Sequence, residues 1–94
     1  MQRELKIVGN QTLTVIVRGR NVEYYNGKAK AVSSTNNKGV FDILPRHTHF
    51  ISLIQNGITI HKTDASTQDI KFSNAILKVK DDIVEVYIGM ERKK

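Results

Sequence analysis

The sequence predicts an all-β fold, a β-sandwich or flattened barrel of about nine or ten short strands. Three observations carry that expectation. Twenty-seven of the 94 residues are Ile, Val or Thr, whose branched side chains pack well on a pleated surface. No long stretch holds an apolar stripe at helical spacing without a Gly or Asn-Gly interruption. The interruptions are of the hairpin kind: Gly9-Asn10, Asn26-Gly27, Lys38-Gly39, Asn56-Gly57, Thr63-Asp64 and Asp81-Asp82.

Taken in chain order, residues 13–17 and 22–25 read as short extended runs around Arg18-Gly19-Arg20-Asn21. Residues 28–34 alternate, with Ala29, Ala31 and Ser33 on one face and Lys30 and Val32 on the other. Residues 39–44 form another extended piece, stopped by Pro45, which has no amide proton to give a ladder. Residues 50–54 are the most apolar segment and are expected to be central. Residues 58–62 and 69–72 pair across residues 63–68, and residues 75–79 pair with 83–88 across Lys80-Asp81-Asp82. In the last run Val84, Val86 and Ile88 alternate with Ile83, Glu85 and Tyr87, the half-buried pattern. Lys78 and Lys80 share a face and mark the solvent side of their strand.

Composition removes several function classes. A chain of 94 residues makes one small domain with a modest core. It has no cysteine, hence no disulfide framework, thiol nucleophile or cysteine-based metal site. The longest apolar run is three residues, as in Val15-Ile16-Val17, which leaves no transmembrane helix or signal-peptide core and an intracellular address as the expectation. Fifteen Lys and Arg against nine Asp and Glu give a net charge of +6. Those cations are dispersed and the aromatics sparse, so a basic β-domain binding nucleic acid or another acidic partner stands only as the alternative reading. The one dense run, Arg92-Lys93-Lys94, reads as a solvated basic tail over residues 90–94 rather than a lipid or nucleic-acid anchor.

Catalytic and metal readings find little support. His47 and His49 share a face if extended, and with His61 they could offer three imidazoles to zinc. However, the pair follows a proline turn with no acidic cluster beside it. Ser33, Ser34, Ser52, Ser66 and Ser73 lie in no activating context, and Asp81-Asp82 suits a tight turn better than an acid/base pair. No glycine-rich phosphate loop is present. The expectation is no catalytic residue, no metal site and no cofactor.

The segment Gly39-Val40-Phe41-Asp42-Ile43-Leu44-Pro45-Arg46-His47 is more specific, and it is followed by Leu53-Ile54-Gln55-Asn56-Gly57-Ile58. This order resembles the epsilon subunit of F-type ATP synthases, called delta in mitochondria. Its N-terminal domain carries G-x-[FL]-x-[IV]-[LY]-P-G-H, then an apolar strand and a Pro-Gly turn. Tyr24-Tyr25-Asn26-Gly27 and the closing hairpin over residues 75–88 fit the same family, so the resemblance spans residues 13–89. Residues 1–12 have no counterpart in it and read as an extension that adds an edge strand over residues 5–8 or hangs free.

The resemblance implies a flattened ten-stranded sandwich of two five-stranded sheets. It also implies a non-catalytic rotor part of a proton-translocating synthase, at the foot of the central stalk, bound to gamma and resting on the c-ring. Its place would be peripheral, on the cytoplasmic face of the bacterial plasma membrane, with no nucleic acid involved and the isolated chain a monomer or weak dimer. Carried over by position, Lys38, Gly39, Val40, Arg46 and His47 face the c-ring, and Arg18, Gly19, Thr48 and His49 face gamma. Arg46 stands where the family usually has glycine, Val40 where it often has an acid, and Asn56 where it has proline. Ser73-Asn74-Ala75 stands where glycines are common. Five residues follow Gly89, too few for the two C-terminal helices that inhibit hydrolysis or bind ATP in many bacterial relatives, so neither activity is expected of the chain as given.

Overall fold

The alternating apolar residues of the first run become strand β1, Leu13–Arg18, with Leu13, Val15 and Val17 fully buried and Thr14, Ile16 and Arg18 on the outward side. The computed structural model describes residues 11–47 and 49–89, and every regular element among them is a strand. The others are β2 (Glu23–Asn36), β3 (Gly39–Ile43), β4 (Phe50–Lys62), β5 (Thr67–Ile70), β6 (Asn74–Lys80) and β7 (Ile83–Ile88). They form one sheet in the order β3-β2-β1-β7-β6-β4-β5, and an additional β2–β4 ladder closes it on itself. All ladders are antiparallel except that between β1 and β7.

Among the described residues there are seven strands rather than nine or ten, because two expected breaks are not turns. Asn26-Gly27 lies inside β2 and pairs with Ile16 and Val15 of β1. Asn56-Gly57 bends β4 without ending it, with φ of 66° and 101°. An Asn-Gly pair reverses the chain only when the following residues return to their own strand. Here the residues after Gly57 find β5 and β2 instead: Ile58 pairs with Ile70 and with Ser34.

Each long strand therefore serves two layers. The first half of β2 pairs with β1, and its second half with β3 and β4. The first half of β4 pairs with β6, and its second half with β5 and β2. Corners of this kind are made by bulges. In β2 the register against β4 shifts between Ala29 and Ala31 and again between Ser34 and Thr35. As a result the buried set changes parity: Ala29 and Ala31 point inward, then Val32 and Ser34. The simple alternation read from residues 28–34 fails at that step, and Ser33 and Val32 exchange faces.

The enclosed space is filled by small and medium aliphatic side chains from both layers, among them Val32, Ile43, Ile54, Ile60, Leu77, Val84 and Val86. Each fully buried Leu, Ile or Val stabilises the fold by about 1.5–3 kcal/mol. Tyr25, Phe41, Phe50, Ile70 and Phe72 seal the core from its rim. Lys78 and Lys80 are exposed on β6 as their spacing requires. The segment expected to be central is not: residues 50–55 have a ladder partner in β6 alone apart from Gln55, and Ile51 and Leu53 point to solvent.

Candidate functional site

Two separate surfaces stand out, the first built by local turn geometry and the second by the register of four strands. The first is the end formed by the β2–β3 turn and the loop after β3. Asn36 starts that turn by accepting the Lys38 amide on its side-chain oxygen at 2.9 Å, and Gly39 takes φ 117°. Val40 follows, 79% exposed. Pro45 then closes a second turn in which the His47 amide donates to the Leu44 carbonyl at 3.1 Å. Arg46 holds the left-handed position of this turn, at φ 69°, and its amide donates to Asp82 Oδ1 at 2.6 Å.

Phe50 joins the two turns. Its ring meets Phe41 edge-on at 5.6 Å and 63°, and His47 at 5.6 Å and 76°. Lys38, Gly39, Val40 and His47 line one shallow depression of about 230 Å³ with Phe50 in it. Arg46 sits on the side of that loop tied to the β6–β7 turn. The structure thus brings Lys38, Gly39, Val40 and His47, four of the five residues expected to face the ring, around one depression, with Arg46 next to His47 in the following turn.

The second surface is the outward face of β4, β6, β7 and β1. Ladder register puts Leu53 opposite Ile76, Ile76 opposite Tyr87 and Tyr87 opposite Arg18, one row across four strands. Ile51, one pleat along from Leu53, is 69% exposed and Leu53 itself 68%. A groove of about 320 Å³ runs beside Ile76 and Tyr87, walled mainly by apolar atoms of Leu53 and Ile88. Nothing in the sequence marked this face. Both sides of residues 50–54 are apolar apart from Ser52, so alternation alone could not say which set would be buried.

The gamma-facing set is not brought to one point. Arg18 ends β1 with its guanidinium 5.5 Å over the Tyr87 ring, and Gly19 turns the chain by donating to the Val22 carbonyl at 2.8 Å. His49 lies at the opposite end, 3.5 Å from Asp81 in an exposed pair of small energetic weight. The two ends are separated by roughly 17 Å, the length of β1 at 3.4 Å per residue. Arg18 and His49 share the outward parity of Thr14 and of Ile51 and Leu53, and so bracket the apolar face from its two ends. Thr48 lies outside the described residues, as do residues 5–8 and 90–94.

The remaining candidates are accounted for by packing. His61 is on the second half of β4, where its Nε2 lies 2.9 Å from Ser33 Oγ, and that hydroxyl donates to Asp42 Oδ1 at 2.6 Å. With the serine between the other two groups, the hydroxyl proton is committed to Asp42 and His61 donates to the oxygen. A nucleophile requires the histidine in the middle. Asp42, Ser33, Thr59 and Asp69 stand directly opposite one another across β3, β2, β4 and β5, a polar cross-strand ladder. Among the described residues no three His, Asp or Glu side chains are arranged to hold a metal ion. Asp81 and Asp82 both take left-handed φ, 52° and 64°, as a tight two-residue turn demands. Four of the six aromatics seal the core rim, leaving Tyr24 and Tyr87 as the large exposed rings.

Known proteins agree with this geometry. Residues 12–89 match the family described as ATP synthase, Delta/Epsilon chain, beta-sandwich domain. ATP synthase epsilon chains of Ruthia magnifica subsp. Calyptogena magnifica and of Vesicomyosocius okutanii subsp. Calyptogena okutanii are each 28% identical over 76 residues. Those stretches cover 81% of this chain and 55% of each relative, so the chain spans about half the length of the curated relatives it matches. A chain in the cryo-EM structure of the Euglena gracilis mitochondrial ATP synthase, comprising OSCP, F1 and c-ring, superposes with a TM-score of 0.77 at 10% identity, covering 94% of this chain and 59% of that one. A chain in the Tetrahymena thermophila mitochondrial ATP synthase central stalk and c-ring gives 0.67 at 14%, covering 85% and 65%. Identities that low speak for the fold alone, whereas the family match runs from before β1 to just past β7. The chain belongs to the ATP synthase delta/epsilon family, and the closed β unit is that family's β-sandwich domain.

Proposed function

We propose that this chain is a non-catalytic rotor part of a proton-translocating F-type ATP synthase, joining the gamma subunit to the c-ring. The observation that carries this reading is the separation of two surfaces on one closed β framework. One is an exposed turn cluster at one end, and the other a broad apolar outward face. A part that passes torque between two partners needs two contact areas and a stiff body between them. A sheet closed on itself, with β2 and β4 running through both layers, supplies the stiffness. In this reading Lys38, Gly39, Val40, Arg46 and His47 meet the polar loops of the ring, and Arg18, Gly19, Thr48 and His49 frame the gamma contact.

The same reading makes the domain peripheral to the cytoplasmic face of the bacterial membrane, held there through the ring. Split at their bends, β2 and β4 give a five-strand and a four-strand layer among the described residues, close to the family's two five-stranded sheets. A tagged chain expressed in its source organism should recover gamma and c-ring subunits from detergent-solubilised membranes. Recovery of neither sinks the proposal. Lys38→Glu combined with Arg46→Glu should reduce retention of the ring on the order of tenfold while sparing gamma, because reversed charge at a contact changes affinity for one partner only.

A further inference from the structure

The family match begins at residue 12, so residues 1–11 are additional to the matched domain. They hold one run suited to a strand, Leu5-Lys6-Ile7-Val8, in which Leu5 and Ile7 share one face and Lys6 and Val8 the other. The way the chain enters the barrel limits where that run can go. Ala29 pairs with Lys62 of β4 and Val32 with Ile60. This leaves the other side of β2 to Leu13 of β1, opposite Ala29, and to Ile43 of β3, opposite Val32. Both strands are antiparallel to β2, so β3 and β1 lie end to end along it and point the same way. The two pairs are three residues of β2 apart, about 10 Å. The chain entering β1 therefore comes from the side of Ile43, where β3 blocks further pairing with β2.

Beyond that point lies the outer edge of β3. Among the described residues β3 has a ladder with β2 alone, and an edge of this kind is a template for another strand. The depression of about 230 Å³ opens beside it, lined by Gly39, Val40, Phe41 and Asp42 together with His47 and Phe50. Its apolar wall is the Phe41–Phe50 pair, in edge-on contact. We infer that residues 5–8 dock on this edge as an added strand, parallel to β3, with Leu5 and Ile7 laid over Phe41 and Phe50. The five residues from Val8 to Leu13 reach about 17 Å when extended, enough for a gap of about 10 Å and one strand spacing of about 4.8 Å. Pleat parity then puts Lys6 on the face of Val40 and Asp42, where its charge is opposite to that of Asp42. The other edge of that layer, β5, is a poor host. Both β2 and β4 stand between it and β3, which sets it about 14 Å away at that spacing.

The chain has no cysteine, so paired substitutions in the full chain report the contact directly. Under mild oxidation, Lys6→Cys with Val40→Cys should form an intramolecular disulfide at least about tenfold faster than either of two control pairs. The controls join Lys6→Cys to Thr67→Cys on β5 and to Ile51→Cys on the outward apolar face. Equal rates for the three pairs, or a faster bond in either control, overturn the inference. Hydrogen exchange gives a second readout that needs no cysteine. Amides of β3 that point away from β2 should exchange at least about tenfold more slowly in the wild type than in Ile7→Pro, because proline resists strand pairing. Amides of β6 should exchange alike in both, which shows that the barrel itself is intact. No difference at β3 overturns the inference. Protection at β3 that fades on dilution gives the edge to a second copy of the chain and overturns it too.

Discussion

At position 46 an arginine occupies backbone space that suits glycine. The turn from Leu44 to His47 has Pro45 second and a left-handed residue third, the arrangement of a type II turn. A non-glycine residue at φ 69° costs about 1–2 kcal/mol relative to ordinary helical or extended backbone. Arg46→Gly should therefore stabilise the isolated domain by about 1 kcal/mol, a rise of roughly 4–8 °C in melting temperature for a chain of this size. A fall in melting temperature would show that the arginine side chain is itself holding the loop. The turn was legible in the sequence because proline announces it and the family motif has glycine next. The bond from the Arg46 amide to Asp82 was not, since it spans 36 positions and depends on where the β6–β7 turn arrives.

Among the elements, β4 taught the most. Its bend at Asn56-Gly57 is fixed by two facts: φ of 101° at Gly57, and an added Cβ that would lie 2.5 Å from the Ile70 carbonyl oxygen. Neither can relax cheaply, because the neighbour is backbone and Ser34 Oγ donates to the Gly57 carbonyl at 2.9 Å. Gly57→Ala should cost at least about 2 kcal/mol in urea unfolding. A loss under about half that would mean that β5 shifts freely. From the sequence, Asn-Gly announced a change of direction but not its kind, since a turn and a bend use the same left-handed backbone. The β4–β5 turn was legible at Thr63-Asp64, though it is shorter than expected. Ser66 donates both its amide, at 3.0 Å, and its hydroxyl to Asp64 Oδ1, which holds that carboxyl below the ordinary aspartate range. A lowered folded-state value means the turn's contribution is present above about pH 4, the unfolded aspartate range, and is lost as the pH falls through the lowered value. An NMR titration should find Asp64 titrating below the ordinary range, and Ser66→Ala should move it part of the way back, because the backbone amide at 66 still donates to the carboxylate. An unchanged midpoint in the variant would exclude the serine as the cause.

For the molecule as a whole, alternation was legible in β6 and β7, where Lys78 and Lys80 face solvent and Val84 and Val86 are buried. What it could not supply was closure. Which strands meet is decided by long-range ladders, and the bulges that let β2 and β4 cross between layers leave no local signature in Ala29, Lys30 and Ala31. For the same reason the apolar face was hidden in the very segment expected to be most central. The parallel ladder of β1 with β7 has a further consequence, in the order of events during synthesis. Thr14 is bonded to a strand whose first residue, Ile83, is made 69 positions later. Until β7 has been made, β1 can pair with β2 alone, and the barrel stays open along that edge. Such distant pairing is slow to form. The fold therefore closes only when β7 arrives, and until then β1 lacks its second partner.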